Sequence, residues 1–279
     1  LGLLSPADTL HRFNDLVVEA GEGRDNFVPS GFPRLDKILG GGFIRSGLYI
    51  IGARPAMGKS TFAVNLADNI DGNVMFVSLE MSPEQITAKR VARLTGIPAA
   101  KLLRGAVTDD DWQKIAIANS ALSEQGVFIN SRYDLIVQQI QLLAQSVPEL
   151  RAVVVDYLGL ITPTTRGGST YENISQISRE LKRLAISLNI PVICLSQLSR
   201  AVEGRQNKRP MLSDLRDSGA IEQDADAVMF LYRDDYYTRD TTEGFPSLVE
   251  LSVEKNRHGQ TGKTEFNCWL SSSLFREVS

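Results

Sequence analysis

Cysteine is almost missing from this sequence: Cys194 and Cys268 are the only two, and they stand far apart. That excludes a disulfide-stapled scaffold and any metal site built from closely spaced thiolates, leaving two buried thiols of a reducing cytosol. No apolar run approaches the roughly 20 residues that cross a bilayer, so no membrane contact is expected and the expected location is cytoplasmic. The opening stretch, Leu1-Gly2-Leu3-Leu4-Ser5-Pro6, lacks the basic segment of a signal peptide. It also lacks an initiator methionine, which suggests a fragment or a processed chain. An excess of cations is missing too: 30 Lys and Arg face 33 Asp and Glu, a net charge of −3. Any contact with nucleic acid must therefore come from a local patch, from backbone amides or from several subunits acting together. Internal repeats and low-complexity tracts are absent. What is there is a chain of 279 residues, 43% of them hydrophobic. That suits one large α/β domain, or one domain with an appendage.

The most informative stretch runs from Gly47 to Thr61. The apolar run Leu48-Tyr49-Ile50-Ile51 feeds the loop Ala53-Arg54-Pro55-Ala56-Met57-Gly58. Lys59-Ser60-Thr61 then opens a segment with helical spacing at Phe62, Ala63, Leu66, Ala67 and Ile70. Strand, glycine-bearing loop and Gly-Lys-Ser in that order have the layout of a phosphate-binding P-loop. The loop N–H groups and the positive end of the following helix would face an anion. Lys59 would reach the β- and γ-phosphates of a nucleotide, and the Ser60 hydroxyl would hold Mg²⁺. Ala53 stands where the usual pattern has its first glycine, and a small residue still fits there. The competing reading, a strand–turn–helix that contains Gly-Lys-Ser by chance, is disfavoured by the order of the elements.

Three strand ends carry further candidates. Asn73–Leu79 is a largely apolar run, as expected of a strand buried on both faces, and Glu80 follows at once. Beside a P-loop strand such a carboxylate is well placed as a general base for water; alone it would read as a solvated strand end. Arg151–Tyr157 runs through four apolar residues into Asp156, matching the second NTPase signature, whose aspartate helps hold Mg²⁺. That signal is weak alone and gains weight about a hundred residues after Lys59, with βα units between. Pro191–Leu195 is the next buried strand and ends in Ser196-Gln197. A glutamine there can hydrogen-bond a γ-phosphate or the attacking water, or be an ordinary polar strand end.

Elsewhere, Ser5-Pro6-Ala7-Asp8 caps a helix carrying Leu10, Phe13, Leu16, Val17 and Ala20, followed by a linker over Gly21–Asn26. That helix either folds onto its own domain or docks on a neighbouring subunit. Further helices are expected near Leu35–Leu39, after Ser82-Pro83, and over Thr108–Gln125, Leu135–Val147 and Ile174–Leu188. Short strands are expected at Val127–Ile129 and Ala227–Tyr232. Ile161–Tyr171, Ala201–Pro210 and Arg233–Gly244 read as loops. Leu248–Glu254 and Thr264–Leu270 read as an antiparallel pair at one edge. Between them, Lys255-Asn256-Arg257-His258-Gly259 sets two cations one residue apart at a strand end. They form either a solvated turn or a pair presented to a phosphate across a subunit boundary.

The P-loop can now be taken with SLEMS at Ser78–Ser82, VVVDYLGLI at Val153–Ile161 and SQLSR at Ser196–Arg200. SDLRDSGAIEQDAD at Ser213–Asp226 and EKNRHGQTG at Glu254–Gly262 complete the set. With these motifs in order, the chain closely resembles the RecA-like motor domain of the DnaB-type replicative hexameric DNA helicases, from about Phe27 to its C-terminus. The resemblance implies an α/β, RecA-like P-loop NTPase with a mostly parallel central sheet, flanking helices and an antiparallel edge extension. Residues 1–26 would be a linker helix and hinge, and 27–279 the motor domain. The leading helix resembles the family's linker helix, which packs on the adjacent subunit; the family's N-terminal primase-interacting domain has no counterpart here.

The resemblance also implies roles. ATP and Mg²⁺ would be the cofactors, with Ala53–Thr61 around the phosphates, Lys59 and Ser60 on phosphate and metal, and Asp156 on the metal through water. Glu80 would polarise the attacking water, and Gln197 would sense the γ-phosphate. Lys255 and Arg257, with Asn256 between them, would enter the next subunit's ATP site. Lys89 stands where many members have arginine, keeping the charge without the forked geometry. Arg216, Asp217 and Gly219 match the loop that contacts single-stranded DNA, and Asp217 stands where the family usually has glutamate. The implied protein is a homohexameric 5′→3′ helicase of the replication fork, partnered in full length by a primase and a helicase loader. A closed ring presents the same loop several times to one strand, which resolves the lack of net positive charge. Phosphate contacts carry no sequence information, as a motor on any DNA requires. The alternatives are a RecA/RadA-like recombination or repair ATPase, and an ATP-gated assembly module for a loader. Glu80 and Arg257 argue against the latter, since a pure switch needs no hydrolytic set.

Overall fold

A strand in which every residue is apolar needs cover on both faces, and the sequence has several such runs. The computed structural model describes residues 2–23, 26–164, 167–215, 219–238 and 245–278. Its strands are β1 (Phe27–Val28), β2 (Phe43–Ile44), β3 (Leu48–Ala53), β4 (Asn73–Ser78), β5 (Val127–Ile129) and β6 (Leu150–Asp156). β7 (Val192–Gln197), β8 (Ala227–Arg233), β9 (Ser247–Asn256), β10 (Gly262–Trp269) and β11 (Leu274–Glu277) follow. β1 and β2 pair with each other, and the rest form a 9-stranded sheet in the order β11-β10-β9-β8-β3-β7-β6-β4-β5. From β8 to β5 the pairs are parallel. β9, β10 and β11 extend the sheet in antiparallel fashion. The expected architecture is present, but the extension has a third strand, β11, beyond the expected pair.

The helices are α1 (Pro6–Gly21), α2 (Pro33–Leu39), α3 (Lys59–Asn69), α4 (Pro83–Thr95) and α5 (Ala99–Leu103). They continue with α6 (Asp109–Glu124), α7 (Val137–Ser146), α8 (Thr170–Leu188), α9 (Gly219–Asp224) and α10 (Asp235–Thr238). Side chains alternate across a strand, so β3 sends Tyr49, Ile51 and Ala53 to a core shared with α2 and α3. Leu48 and Ile50 go to a second core, shared with α7, α8 and α9. This double cover makes β3 the axis of the sheet, with the P-loop at its C-terminal end. Phe62, on the first turns of α3, packs its ring 5.6 Å from Phe32 and 5.3 Å from both Phe266 and Phe275. Phe62→Ala is expected to cost about 3–5 kcal/mol of stability, read by urea unfolding with unchanged slope.

α4, α5 and α6 build a small separate core from Val91, Ile97, Ile115, Ala118 and Leu122. α6 is capped at its N-terminus by Thr108, with the Asp111 N–H donating to Thr108 Oγ1 and the Thr108 N–H to Asp111. The stretch read as a loop over Ile161–Tyr171 ends earlier than expected, because Ser169 caps α8 through Glu172. α1 has the expected cap at Ser5, completed as a capping box by Asp8, but no buried residue. Leu10, Phe13, Leu16 and Val17 are all exposed, so α1 does not bury its apolar stripe on its own domain.

Candidate nucleotide site

The loop after β3 is shaped by its backbone. Gly52 has no room for a side chain: a Cβ there would lie 2.8 Å from Leu198 and Phe230. Ala56 has a φ of 66° and Gly58 a φ of 90°, both left-handed, a backbone pattern that suits an anion-binding concavity. The Arg233 guanidinium steadies that turn by donating to the Ala56 carbonyl at 3.3 Å. Gly58 then caps α3, whose first residue is Lys59. A cavity of about 310 Å³ opens at this point, lined by Ala53–Ala56, Gly58–Thr61, Glu80, Met81, Lys89 and Gln197. Residues from four separate stretches of sequence thus meet at one edge of the sheet. Met57 is the exception within the loop, buried beneath it.

Parallel pairing explains the convergence. Ala53 is in register with Gln197 and Ser78 with Asp156, so the phosphate loop, Glu80, Asp156 and Gln197 sit where neighbouring strands end, the usual place for a ligand in an open α/β sheet. Lys59 Nζ donates to Asp156 Oδ1 at 3.2 Å and lies 4.2 Å from the centroid of the Tyr157 ring. Tyr157 was not singled out from sequence. Asp156 is fully buried, and its Oδ2 has no hydrogen-bond partner among the described residues. A buried carboxylate with one oxygen left over fits a hard cation that takes oxygen ligands and retains water. Among the described residues no cluster of three His, Cys, Asp or Glu could hold a metal. A cation here would therefore be held by Ser60, Asp156 and the ligand's own oxygens.

Lys89 reaches the same cavity from α4 and donates to Thr61 Oγ1 at 3.1 Å. Burial lowers its pKa, while the Asp156 charge works the other way. Arg54 contributes backbone to the cavity, but its side chain turns aside. It ion-pairs with Glu203 and donates to the Leu198 carbonyl at 2.8 Å. The hydrogen bond from Arg54 holds the Glu203 carboxyl below its ordinary range. Cys194 and Cys268 are buried free thiols, as expected, and burial pushes Cys268 up to about 12.

Lys255, Asn256 and Arg257 lie elsewhere. Asn256 is in register with Ala227 at the start of β8, and Ala227 with Tyr49 near the start of β3. From Tyr49 to Ala53 is four residue steps, roughly 13 Å at about 3.3 Å each, before the loop begins. Arg257 is therefore at the opposite end of the sheet from Lys59 in the same chain. There its Nη1 stands 3.5 Å from Asp226 Oδ1, and Nη2 donates to the Gln223 carbonyl. Lys255 donates to the Glu222 carbonyl and, at 2.8 Å, to that of Ala225. Burial, followed by the charge of Arg257, lowers its pKa. The Asn256 side chain donates to the Gln260 carbonyl within the turn and to the Ile38 carbonyl of α2. Burial opposes the charge of Asp226, but Lys182 at 2.6 Å and the Leu48 N–H at 2.7 Å hold its pKa below the usual range.

Arg216 and Asp217 lie outside the described residues. Leu215, just before them, bridges to Leu198, the residue after Gln197. Gly219 starts α9, and a Cβ there would be 3.8 Å from the Tyr171 hydroxyl. Leu215, the residue before the candidate DNA segment, is thus bridged to the residue next to the candidate γ-phosphate sensor.

Comparison with known proteins matches residues 27–277 to the family model of the DnaB-like helicase C terminal domain. The replicative DNA helicase DnaB of Geobacillus stearothermophilus is 42% identical over 252 residues, covering 88% of this chain and 55% of that protein. The replicative DNA helicase DnaC of Bacillus subtilis is 42% identical over 243 residues, covering 84% and 53%. The chain spans about half the length of the curated relatives it matches. Among solved structures, the ATPase domain of G40P superposes with a TM-score of 0.87 at 37% identity, covering 97% of this chain and 99% of that one. A DnaB-like replicative helicase, solved in a study of its interactions with primase, gives 0.85 at 37% identity, covering 94% and 67%.

Proposed function

The chain belongs to the family of DnaB-like helicase C-terminal domains, and from that premise we propose that it is the ATP-driven motor of a ring-shaped replicative DNA helicase. Residues 1–26 serve as linker helix and hinge and 27–279 as motor. Lys59 and the loop N–H groups hold the β- and γ-phosphates of ATP. Ser60 and Asp156 would hold Mg²⁺, which when bound would neutralise charge developing on the phosphates. Glu80 takes a proton from the water that attacks the γ-phosphorus as the bond to the departing ADP breaks. Gln197 contacts the γ-phosphate and passes its presence to the segment after Leu198. Arg216, Asp217 and Gly219 grip the backbone of single-stranded DNA, and each hydrolysis shifts that grip in the 5′→3′ direction. The protein acts in the cytoplasm, with a primase and a loader as partners of the full-length form.

One observation carries this reading: the phosphate loop, Glu80 and Gln197 share one cavity, while Lys255 and Arg257 stand at the opposite end of the sheet. Cations so placed cannot serve their own loop, but they can serve the loop of a neighbour in a head-to-tail ring, which closes without symmetry-related faces meeting themselves. ATP turnover with and without single-stranded DNA, followed by strand displacement on a forked duplex, tests it. DNA-stimulated turnover and displacement are expected; turnover indifferent to DNA in an assembled ring rejects the motor.

Assembly has its own test. α1, 16 residues long, leaves Leu10 and Phe13 exposed. Between α4, α5 and α6 lies an apolar groove of about 420 Å³ lined by Val91, Leu102, Leu103, Trp112 and Ile115 among others. A neighbour's helix laid in that groove covers both surfaces. Phe13→Asp is expected to leave nucleotide binding intact and to shift the chain from ring to monomer in mass photometry.

A further inference from the structure

We infer that Asn130 is a positioning residue for Glu80, an assignment that rests on Glu80 being the base. Glu80 is exposed and lies two residues past the end of β4, so no strand pairing of its own fixes where its carboxylate points. The strand end is held from outside. β5 stops at Ile129, and the Asn130 N–H makes one more ladder bond, to the Phe76 carbonyl at 3.3 Å. The side-chain amide then continues the ladder two residues further along β4. The Ser78 N–H donates to Asn130 Oδ1 at 2.6 Å, and Asn130 Nδ2 donates to the Ser78 carbonyl at 3.1 Å. A second bond from Nδ2 to the Arg132 carbonyl fixes the amide itself.

Ser78 is the point from which the Glu80 turn is built. Its hydroxyl donates to the Met81 carbonyl at 2.6 Å and accepts from the Met81 N–H at 3.2 Å, closing a loop with Leu79 and Glu80 inside it. The Leu79 N–H is held by the Asp156 carbonyl at 2.8 Å, from the strand on the other side. Glu80 thus sits in a tight turn clamped on one flank by β6 and on the other by one asparagine side chain. Asn130 is buried and does not line the nucleotide cavity, so its effect on hydrolysis passes through the Glu80 turn.

Loss of the amide leaves a buried N–H and carbonyl of Ser78 unmatched, and the turn relaxes toward solvent. A displacement near 1 Å of a catalytic group costs on the order of a hundredfold, so Asn130→Ala is expected to lower DNA-stimulated turnover by about tenfold to a hundredfold. Affinity for a fluorescent ADP analogue should stay within about twofold, because the phosphate loop is untouched. In a Glu80→Gln background the same substitution should change the residual rate by less than about twofold, since no base remains to misplace. Asn130→Asp keeps the acceptor for the Ser78 N–H and should show a smaller loss with the same pattern. If Asn130→Ala does not fold, Asn130→Asp decides by the same two readouts. Equal losses of turnover and nucleotide affinity, or an undiminished loss in the Glu80→Gln background, would overturn the inference and leave Asn130 as a sheet residue alone. Full turnover by Glu80→Gln itself would instead remove the base assignment on which the inference stands.

Discussion

Arg257→Ala is expected to slow ATP turnover by the assembled ring by about 10³–10⁵-fold, the range supplied by a trans-acting arginine in related NTPases. Nucleotide affinity should change far less, because on the proposed reading the phosphate loop and Lys59 that hold that nucleotide would belong to the other subunit. In the isolated chain the guanidinium rests beside Asp226 and on the Gln223 carbonyl. These contacts hold it at the subunit surface with its side chain still about half exposed. Arg257→Lys retains the charge but loses the planar fork that can bridge two phosphate oxygens, so only part of the rate should return. Steady-state turnover and analogue binding on the same preparations separate the two effects. Equal loss in both would mean that Arg257 holds the ring together and does not act on the phosphate.

Glu80→Gln is the second large effect. The substitution keeps size and hydrogen-bonding capacity but removes the proton acceptor, and general-base catalysis is worth about 10²–10⁴ in rate. Turnover is expected to fall by that factor with binding preserved, so the variant should stall on DNA with ATP in place. Glu80 lines the same cavity as Lys59 and the loop, but on the proposed reading Lys59 and the loop would hold the phosphates, so binding should survive the loss of the base. A single-turnover quench experiment, comparing the chemical step with ADP release, reads it directly. A variant that hydrolyses at the normal rate but releases ADP slowly would place Glu80 outside the chemistry.

The parts of this site that were legible in the sequence share one physical cause. Parallel strands buried on both faces appear as largely apolar runs, so the polar residues that close each run mark the sheet edge. Glu80, Asp156 and Gln197 were found in that way, and the register brings them beside the phosphate loop. The parts that were not legible depend on pairings distant in sequence. Arg54 reads as one more loop residue until Glu203 is seen beside it. Asn130 follows a three-residue strand and looks like a turn residue until its amide is seen on Ser78. β11, at four residues, is too short for its alternation to stand out, although Phe275 packs on Phe62 under the loop. The capping of Lys255 and Arg257 on the end of α9 needs the β8–β9 register, which no local pattern encodes. Arg216 and Asp217 remain a sequence-based assignment.

The central claim is that each nucleotide pocket is shared between two chains, and mixing two inactive variants tests it most directly. Lys59→Ala removes the phosphate grip and Arg257→Ala removes the trans cation, so each alone should be silent. In rings assembled from equal amounts of both, about a quarter of the interfaces pair an intact loop with an intact arginine, as a head-to-tail arrangement requires. DNA-stimulated turnover should then reappear at a comparable fraction of the wild-type rate. No recovery in mixed rings of confirmed composition would contradict the account, because it would place both groups in the same chain's pocket.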